Sequence, residues 1–444
     1  MLKWLCNSVA TATLVVVPVA AQAAPGAPVA LVASHGAASQ CAASHGAAGA
    51  IESFYRARGN APLWFEHKRD SAVAAELVGL LRRATLDGLA SGPQLAGQVE
   101  AAIIAARSGD TRMIADAERI MSSAWIDYVQ ALRAPTPGMI YGDPAMPSTA
   151  PPASIILRNA ATAPSLGAYL ASVSQVNPTY SALRNAAFAE AQATGGSASP
   201  VLRANLARAR ALPATGRFIM VDAAAARLWM YEDGRATGSM KVIVGKPQYA
   251  TPMIASVIHY ATLNPYWHVP DHLVRELVAV NVVKQGTNYL KERGYEVVSE
   301  YSDNAVVLSS SSVDWKAVAA GEVNARVRQL PGENNSMGNV KFSFANGEGI
   351  YLHDTPDKAL FEKQTRTLSN GCVRLEDAPR LARWLMGSDP RAVSERPEQH
   401  VRLPQAVPIY ITYLTANDAD GRLSYVNDVY GRDTHDLTKK ATLK

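Results

Sequence analysis

The chain has 444 residues, a formal net charge of +5 at pH 7, and 48% hydrophobic against 18% charged residues. That balance buries a sizeable core and excludes global disorder, while the length predicts two or three domains rather than one. Three cysteines, Cys6, Cys41 and Cys372, exclude a disulfide-stapled scaffold and a Cys-rich zinc module, which needs paired CxxC spacings.

Residues 1–23 read as a secretory signal, with Lys3 as its positive start and an apolar run over 9–21. Ala21-Gln22-Ala23 supplies a small-residue cleavage site. The apolar run, about 13 residues long and broken by Pro18, falls short of the roughly 20 that span a bilayer. No later segment is long and apolar enough, so no transmembrane segment is expected in the mature chain, which should work outside the cytoplasm. The mild positive charge carries no Lys/Arg run and no aromatic-basic interleaving, which argues against nucleic acid as a partner. Residues 24–49 are Ala/Gly/Ser-rich, with ASHGAA at 33–38 and again at 43–48, and predict a flexible tether. His35, Cys41 and His45 are too few on such a segment to hold a metal.

Residues 50–211 predict an α-helical domain. Val73, Leu77, Leu80, Leu81 and Ala84 recur at three- and four-residue steps before Asp87-Gly88 breaks the helix. Ile103, Ile114, Ile120 and Trp125 continue the amphipathic pattern to about residue 133. Six prolines between 135 and 152 mark a connection rather than an element. A further helical stretch runs from about 166 to 211, broken at Gly195-Gly196-Ser197.

The texture changes at Gly216. Alternation over 217–222 and 227–231, a turn at Asp233-Gly234, and alternation over 239–244 predict β-hairpins. Strand-like runs recur at 255–262, 305–309, 349–353 and 407–414. Residues 216–435 therefore form a β-rich domain, with a mixed insertion at 265–338 that is a candidate cover over a site, and 436–444 as a tail.

In this half, Tyr351-Leu352-His353-Asp354 ends a predicted strand, and Cys372 follows within Ser369-Asn370-Gly371-Cys372-Val373-Arg374. A cysteine with a histidine is the minimum for thiol nucleophilic catalysis, the imidazole taking the proton or forming an ion pair with the thiolate. Gly371 allows a tight turn that aims backbone N–H groups at a developing oxyanion. In an extended segment Arg374 would share a side with Cys372 and could bind a carboxylate. On the pair alone, a buried cysteine and a satisfied core histidine remain an equal alternative. His268 and His272, four apart, have Pro270 between them and no HExxH glutamate, so no metal is expected.

SNGCVR at this distance from His353 resembles the Ser-x-Gly-Cys-x-Arg signature of the YkuD-type L,D-transpeptidases. RFIMVDAAAARLWMYEDG, SMKVIVGKPQYATP, LNPYWHVP, VRQLPGENNSMGNVKFSFAN and VPIYITYLTA are similar to successive blocks of the larger, YcbB-like branch. DVYGRD near the end fits that branch, and FYRARGNAPLW and AWIDYVQAL are similar to its helical scaffold. The resemblance covers roughly 50–435. It implies an α+β multidomain chain, with a helical scaffold domain before a mainly β YkuD-like catalytic domain. Cys372 would be the nucleophile and His353 the general base, oriented by the main-chain carbonyl of Asp354. Gly371 and Tyr351 would help to form the oxyanion site, while Arg374, with Ser369 and Asn370 of the signature, would contact substrate.

Asn370 stands where many members carry a second histidine, and the AVxxFQ-type segment of a peptidoglycan-binding module is absent. The implied activity is a periplasmic, cofactor-free L,D-transpeptidase. It would release D-alanine from tetrapeptide stems through a thioester and form 3→3 cross-links. Donor and acceptor peptidoglycan stems, and cell-wall synthesis proteins, would be the partners. Resolution of the acyl-enzyme by water (an L,D-carboxypeptidase) or by a lipoprotein lysine, and a catalytically silent wall-binding scaffold, are the alternatives.

Overall fold

The computed structural model describes residues 35–65, 72–302, 304–387, 396–419 and 422–433. The expected signal at 1–23, the start of the tether and the tail at 436–444 lie outside the described residues. From His35 onward the tether expectation is corrected: α1 spans His35–Ala57. Alanine is the strongest helix former, and an alanine-rich stretch carries the helix across its glycines.

Seven more helices complete the N-terminal half: α2 (Ala72–Arg82), α3 (Gly92–Ala106), α4 (Thr111–Leu132), α5 (Ala153–Thr162), α6 (Leu166–Gln175), α7 (Pro178–Thr194) and α8 (Pro200–Ala209). Their starts follow local chemistry. Asp110, Ser165, Asn177 and Ser199 each accept a first-turn N–H, and Gly195 at φ 63° stops α7. Leu77, Leu80, Leu81, Trp125 and Leu183 fill the interior. Two buried carboxylates tie the helices together. Glu118 of α4 accepts the N–H groups of Leu63, Trp64 and Phe65 and the Tyr55 hydroxyl. Asp87 accepts the hydroxyls of Tyr128 and Tyr180. Buried charges persist only when satisfied in this way.

The proline-rich stretch at 134–153 is more than a connection. It contains β1 (Met139–Tyr141) and leads into α5, which begins earlier than the helical pattern indicated.

The second half is a closed sheet. β2 (Phe218–Asp222), β3 (Arg227–Glu232) and β4 (Arg235–Gly245) form an antiparallel meander. Its second turn, between β3 and β4, places Asp233 and Gly234 at φ 48° and 78°, the left-handed pair that a two-residue hairpin prefers. β5 (Met253–Leu263) follows. Then come four insertion strands, β6 (Trp267–His268), β7 (Tyr295–Val298), β8 (Val307–Leu308) and β9 (Arg326–Gln329). The main sheet resumes with β10 (Val340–Phe344), β11 (Tyr351–His353), β12 (Thr367–Ser369), β13 (Val373–Leu375) and β14 (Gln399–Thr412).

Among the described residues the order runs β5-β10-β11-β13-β4-β3-β2-β14. Because β14 also pairs with β5, the sheet closes into a barrel. β12 pairs with β4, and β1 from the helical half pairs in parallel with the start of β5, Met139 opposite Met253. The fold is therefore α+β, a helical scaffold followed by a β-rich barrel domain. One apolar core runs through both, from Leu77 and Trp125 to Ile254, Ile258, Leu352 and Ile409.

Residues 265–338, between β5 and β10, form a subdomain with a separate core of Trp267, Val274, Val278, Trp315 and Val327. It holds the four-stranded sheet β6-β9-β7-β8 and four short helices. These are α9 (Asp271–Leu273), which continues through a π-turn into α10 (Val280–Gln285), then α11 (Asn288–Glu292) and α12 (Trp315–Ala320). α13 (Ala378–Met386) packs on the barrel. Among the described residues no helix is long and apolar enough to cross a membrane.

The β1–β5 seam is tight at Gly142, whose N–H donates to the Ala255 carbonyl at 2.9 Å. A Cβ there would overlap the Ala345 carbonyl, whereas one on Gly97, exposed on α3, would meet nothing. Gly142→Ala is expected to lower the urea midpoint by an overpacking cost of about 1–3 kcal/mol. Gly97→Ala should raise it by roughly 0.5–1 kcal/mol. Equal shifts of one sign in the two variants would contradict this account of the seam.

Candidate active site

Strand periodicity sorts the site from the core. In β11, Leu352 points into the barrel, fully buried, while Tyr351 and His353 take the other face. In β13, Val373 and Leu375 point inward and Arg374 outward. The two strands pair in parallel, Leu352 opposite Val373 and His353 opposite Arg374. Cys372, one residue before β13, arrives on the outward side beside Tyr351. Tyr351, His353, Ser369, Asn370, Cys372 and Arg374 then line one cleft of about 390 Å³. Its opposite wall comes from the insertion, through His272, Leu273, Tyr289, Arg293, Tyr295 and Met337. Tyr351 packs against the insertion's core. Asp354 and Gly371 stand behind the cleft as supports.

The imidazole of His353 is 3% exposed, and its Nδ1 lies 2.6 Å from the Asp354 carbonyl oxygen. A carbonyl only accepts, so the proton sits on Nδ1 and Nε2 is left with its lone pair. The Asp354 carboxylate faces elsewhere, to Lys358 Nζ at 2.7 Å and the Asn339 N–H at 3.1 Å. Gly338, at φ 60°, gives it room, since a Cβ there would overlap this carboxylate. Burial, aided by the positive charges of Arg374 and Lys341, pushes the His353 pKa down to about 3. The ring is neutral at ordinary pH.

Burial also pushes the Cys372 thiol up, against the lowering influence of the Tyr351 hydrogen bond, Arg374 and Lys341. The resting pair is a neutral thiol and a neutral imidazole rather than an ion pair. The thiol lies 3.7 Å from the Gly349 carbonyl. Tyr351 is held protonated, chiefly by burial. The guanidinium of Arg374 is largely desolvated, and its Nε has no partner among the described residues.

The turn before Cys372 is built around backbone that needs glycine. Gly371 has φ 114°, and a Cβ there would approach Ile350 Cδ1 to 3.1 Å. The Ser369 hydroxyl accepts the Gly371 N–H at 3.2 Å and donates to the Cys372 carbonyl at 2.6 Å, closing the turn. Sequence reasoning missed two supports. Thr251, fully buried, donates to the Gly371 carbonyl at 2.7 Å, and Lys358 reaches the carbonyls of Leu375 and Glu376. Thr251 lies 120 positions from Gly371, so no local pattern marks it.

His268 packs between Tyr266 and Tyr301, while His272 stacks on Tyr249. Among the described residues no group of three or more His, Cys, Asp or Glu side chains is placed to hold a metal.

Residues 216–402 match the YkuD family model, an L,D-transpeptidase catalytic domain, and residues 49–186 match a Scaffold domain model. A Haemophilus influenzae protein whose name assigns it provisionally to the L,D-transpeptidases is 30% identical over 239 residues. That match covers 52% of this chain and 48% of the relative, so the chain spans about half the length of the curated relative it matches.

Among solved structures, an L,D-transpeptidase from Mycobacterium smegmatis aligns at 13% identity, over 45% of this chain and 59% of that one, with a TM-score of 0.23. One from Enterococcus faecium aligns at 11%, over 46% and 51%, with a TM-score of 0.22.

The depressed His353 pKa links the site to stability. An unfolded histidine binds its proton near pH 6.5, the folded one only near 3. The contribution is present above pH 6.5 and is lost as pH falls toward 3, on the order of 5 kcal/mol in full. The thermal midpoint should therefore drop between pH 6.5 and 4, and His353→Gln should flatten that drop. Parallel curves for the two proteins would exclude His353 as the source.

Proposed function

Residues 216–402 match the YkuD L,D-transpeptidase catalytic domain, and on that premise we propose that the chain is a periplasmic enzyme forming 3→3 peptidoglycan cross-links through a Cys372 thioester. One observation carries this reading. The thiol and an imidazole whose Nε2 lone pair is unused by any support open into the same cleft, beside a desolvated arginine.

The donor is a tetrapeptide stem, its carbonyl at the third residue placed over Cys372 and its carboxylate groups drawn to Arg374. Nε2 of His353 takes the thiol proton as sulfur bonds to the carbonyl carbon. The oxyanion forms against the N–H groups around Gly371 and Cys372 and the Tyr351 hydroxyl, which its raised pKa keeps protonated as a donor. Collapse breaks the bond to D-alanine, and the imidazolium returns the proton to the leaving amine. The side-chain amine of a neighbouring stem then attacks the thioester and loses its proton to His353. The amide forms and the thiol is restored.

A neutral thiol and a neutral imidazole suit this sequence, since proton transfer coincides with attack. The insertion wall keeps water from competing with the acceptor amine. Placement in the periplasm rests on the signal-like sequence at 1–23.

The test is incubation of the purified protein with disaccharide-tetrapeptide, with products read by mass spectrometry. Free D-alanine and a dimer lacking one D-alanine are expected. Cys372→Ala should abolish both, and D-alanine release retained by Cys372→Ala would overturn the assignment of the nucleophile. D-alanine release without dimer would point to hydrolysis instead.

A further inference from the structure

A chain of hydrogen bonds enters the nucleophile turn from the side away from the cleft. Thr251 Oγ donates to the Gly371 carbonyl at 2.7 Å and accepts the Gly245 N–H at 2.9 Å. The Lys246 N–H donates to the Ser369 carbonyl at 2.9 Å. The 245–251 loop therefore grips both ends of the turn, and it has little slack. A Cβ on Gly245 would overlap the Tyr249 carbonyl.

The loop is itself held by the C-terminal segment. Arg432 Nη2 donates to the Thr251 carbonyl at 3.0 Å, and the Tyr430 hydroxyl donates to the Gly245 carbonyl at 2.6 Å. The rings of Tyr413 and Tyr430 stack on each other, 5.1 Å between centroids, and the Arg432 guanidinium packs beside both, 5.0 and 4.8 Å from those centroids. Asp428 accepts the N–H groups of Arg432 and Asp433. The segment is anchored in turn to α8 of the scaffold. Arg208, fully buried, donates to Asp433 Oδ1 at 2.7 Å and to the Arg432 carbonyl at 2.6 Å. Residues 428–433 lie beyond the 216–402 span of the family match.

The bond to Gly371 has a directional consequence. In a trans peptide the C=O and the following N–H point in opposite directions in one plane. Fixing the Gly371 carbonyl therefore fixes the N–H of Cys372, one of the donors that the proposed mechanism assigns to the developing oxyanion.

We propose that Thr251 is a positioning residue that aims the Cys372 N–H. We further propose that Arg432 and Tyr430 hold Thr251 in place from a segment clasped by the scaffold, so that the helical domain sets the geometry of the oxyanion site. This rests on the reading of Cys372 as the acyl-forming nucleophile.

The experiment separates oxyanion alignment from thiol placement. Turnover of disaccharide-tetrapeptide needs both, whereas alkylation of Cys372 by iodoacetamide develops no oxyanion. In Thr251→Val, kcat should fall about tenfold to hundredfold, with KM within twofold and the alkylation rate within twofold of wild type. Thr251→Ser, which keeps the hydroxyl, should recover most of the loss. Arg432→Lys, which keeps the charge but not the planar guanidinium packed beside Tyr413 and Tyr430, should give an intermediate loss of kcat. If Thr251→Val does not fold, Arg432→Lys with the same three readings decides.

Turnover of the valine variant within threefold of wild type overturns the proposal. So does alkylation falling in step with turnover, or no recovery in Thr251→Ser. Wild-type protein that turns over no substrate yet alkylates at Cys372 would instead remove the parent reading, and this proposal with it.

Discussion

Parallel pairing of two three-residue strands, β11 and β13, is the constraint from which the site follows. Parallel neighbours cannot be joined by a tight turn, so residues 354–372 must leave the sheet and return. That excursion supplies most of what surrounds the pair. Asp354 turns its carbonyl to the imidazole, Lys358 reaches back to the carbonyls after β13, and the glycine turn delivers Cys372. Strands this short hold little by themselves. They are clamped by β10 on one side, with Phe342 opposite Leu352, and by β4 on the other, with Ile243 opposite Arg374. Barrel closure through β14 leaves neither clamp free to peel away.

The insertion determines what kind of chemistry this frame supports. Its separate core lets it behave as a wall with its own rigidity rather than as a loop ordered only by the barrel. It walls the cleft onto which the outward face of β11 and β13 opens, and the groups there are desolvated. The same desolvation keeps His353 neutral, keeps the thiol protonated and leaves Arg374 short of partners. In such a site, charge is best created only when substrate arrives to share it.

Local signals were legible in the sequence where residues speak to their neighbours. The 3.6-residue spacing of Leu77, Leu80 and Leu81, the alternation that became β2 to β4, and the Asp233-Gly234 turn all reflect short-range geometry. The cysteine and the glycine before it were visible because SNGCVR is contiguous, and the histidine because it ends a predicted strand nineteen positions upstream. What stayed hidden depends on partners distant in the chain. β1 is three residues among prolines and exists because β5 offers it a ladder. β9 and β13 are short, and their neighbours decide them. Thr251 looks like any threonine before a proline until Gly371 is brought to it. The tether expectation over 35–49 failed for the opposite reason. Low complexity was read as absence of structure, while the alanine content favoured helix.

The neutral resting pair has a consequence for durability. Oxidation of cysteine to sulfenic acid and beyond begins from the thiolate. A thiol kept protonated presents little of that form to peroxide or to disulfides, so Cys372 is spared while the site is idle. Enzymes that hold a standing thiolate–imidazolium pair gain reactivity at rest and accept steady oxidative loss. This site is arranged the other way, and its idle state is chemically quiet.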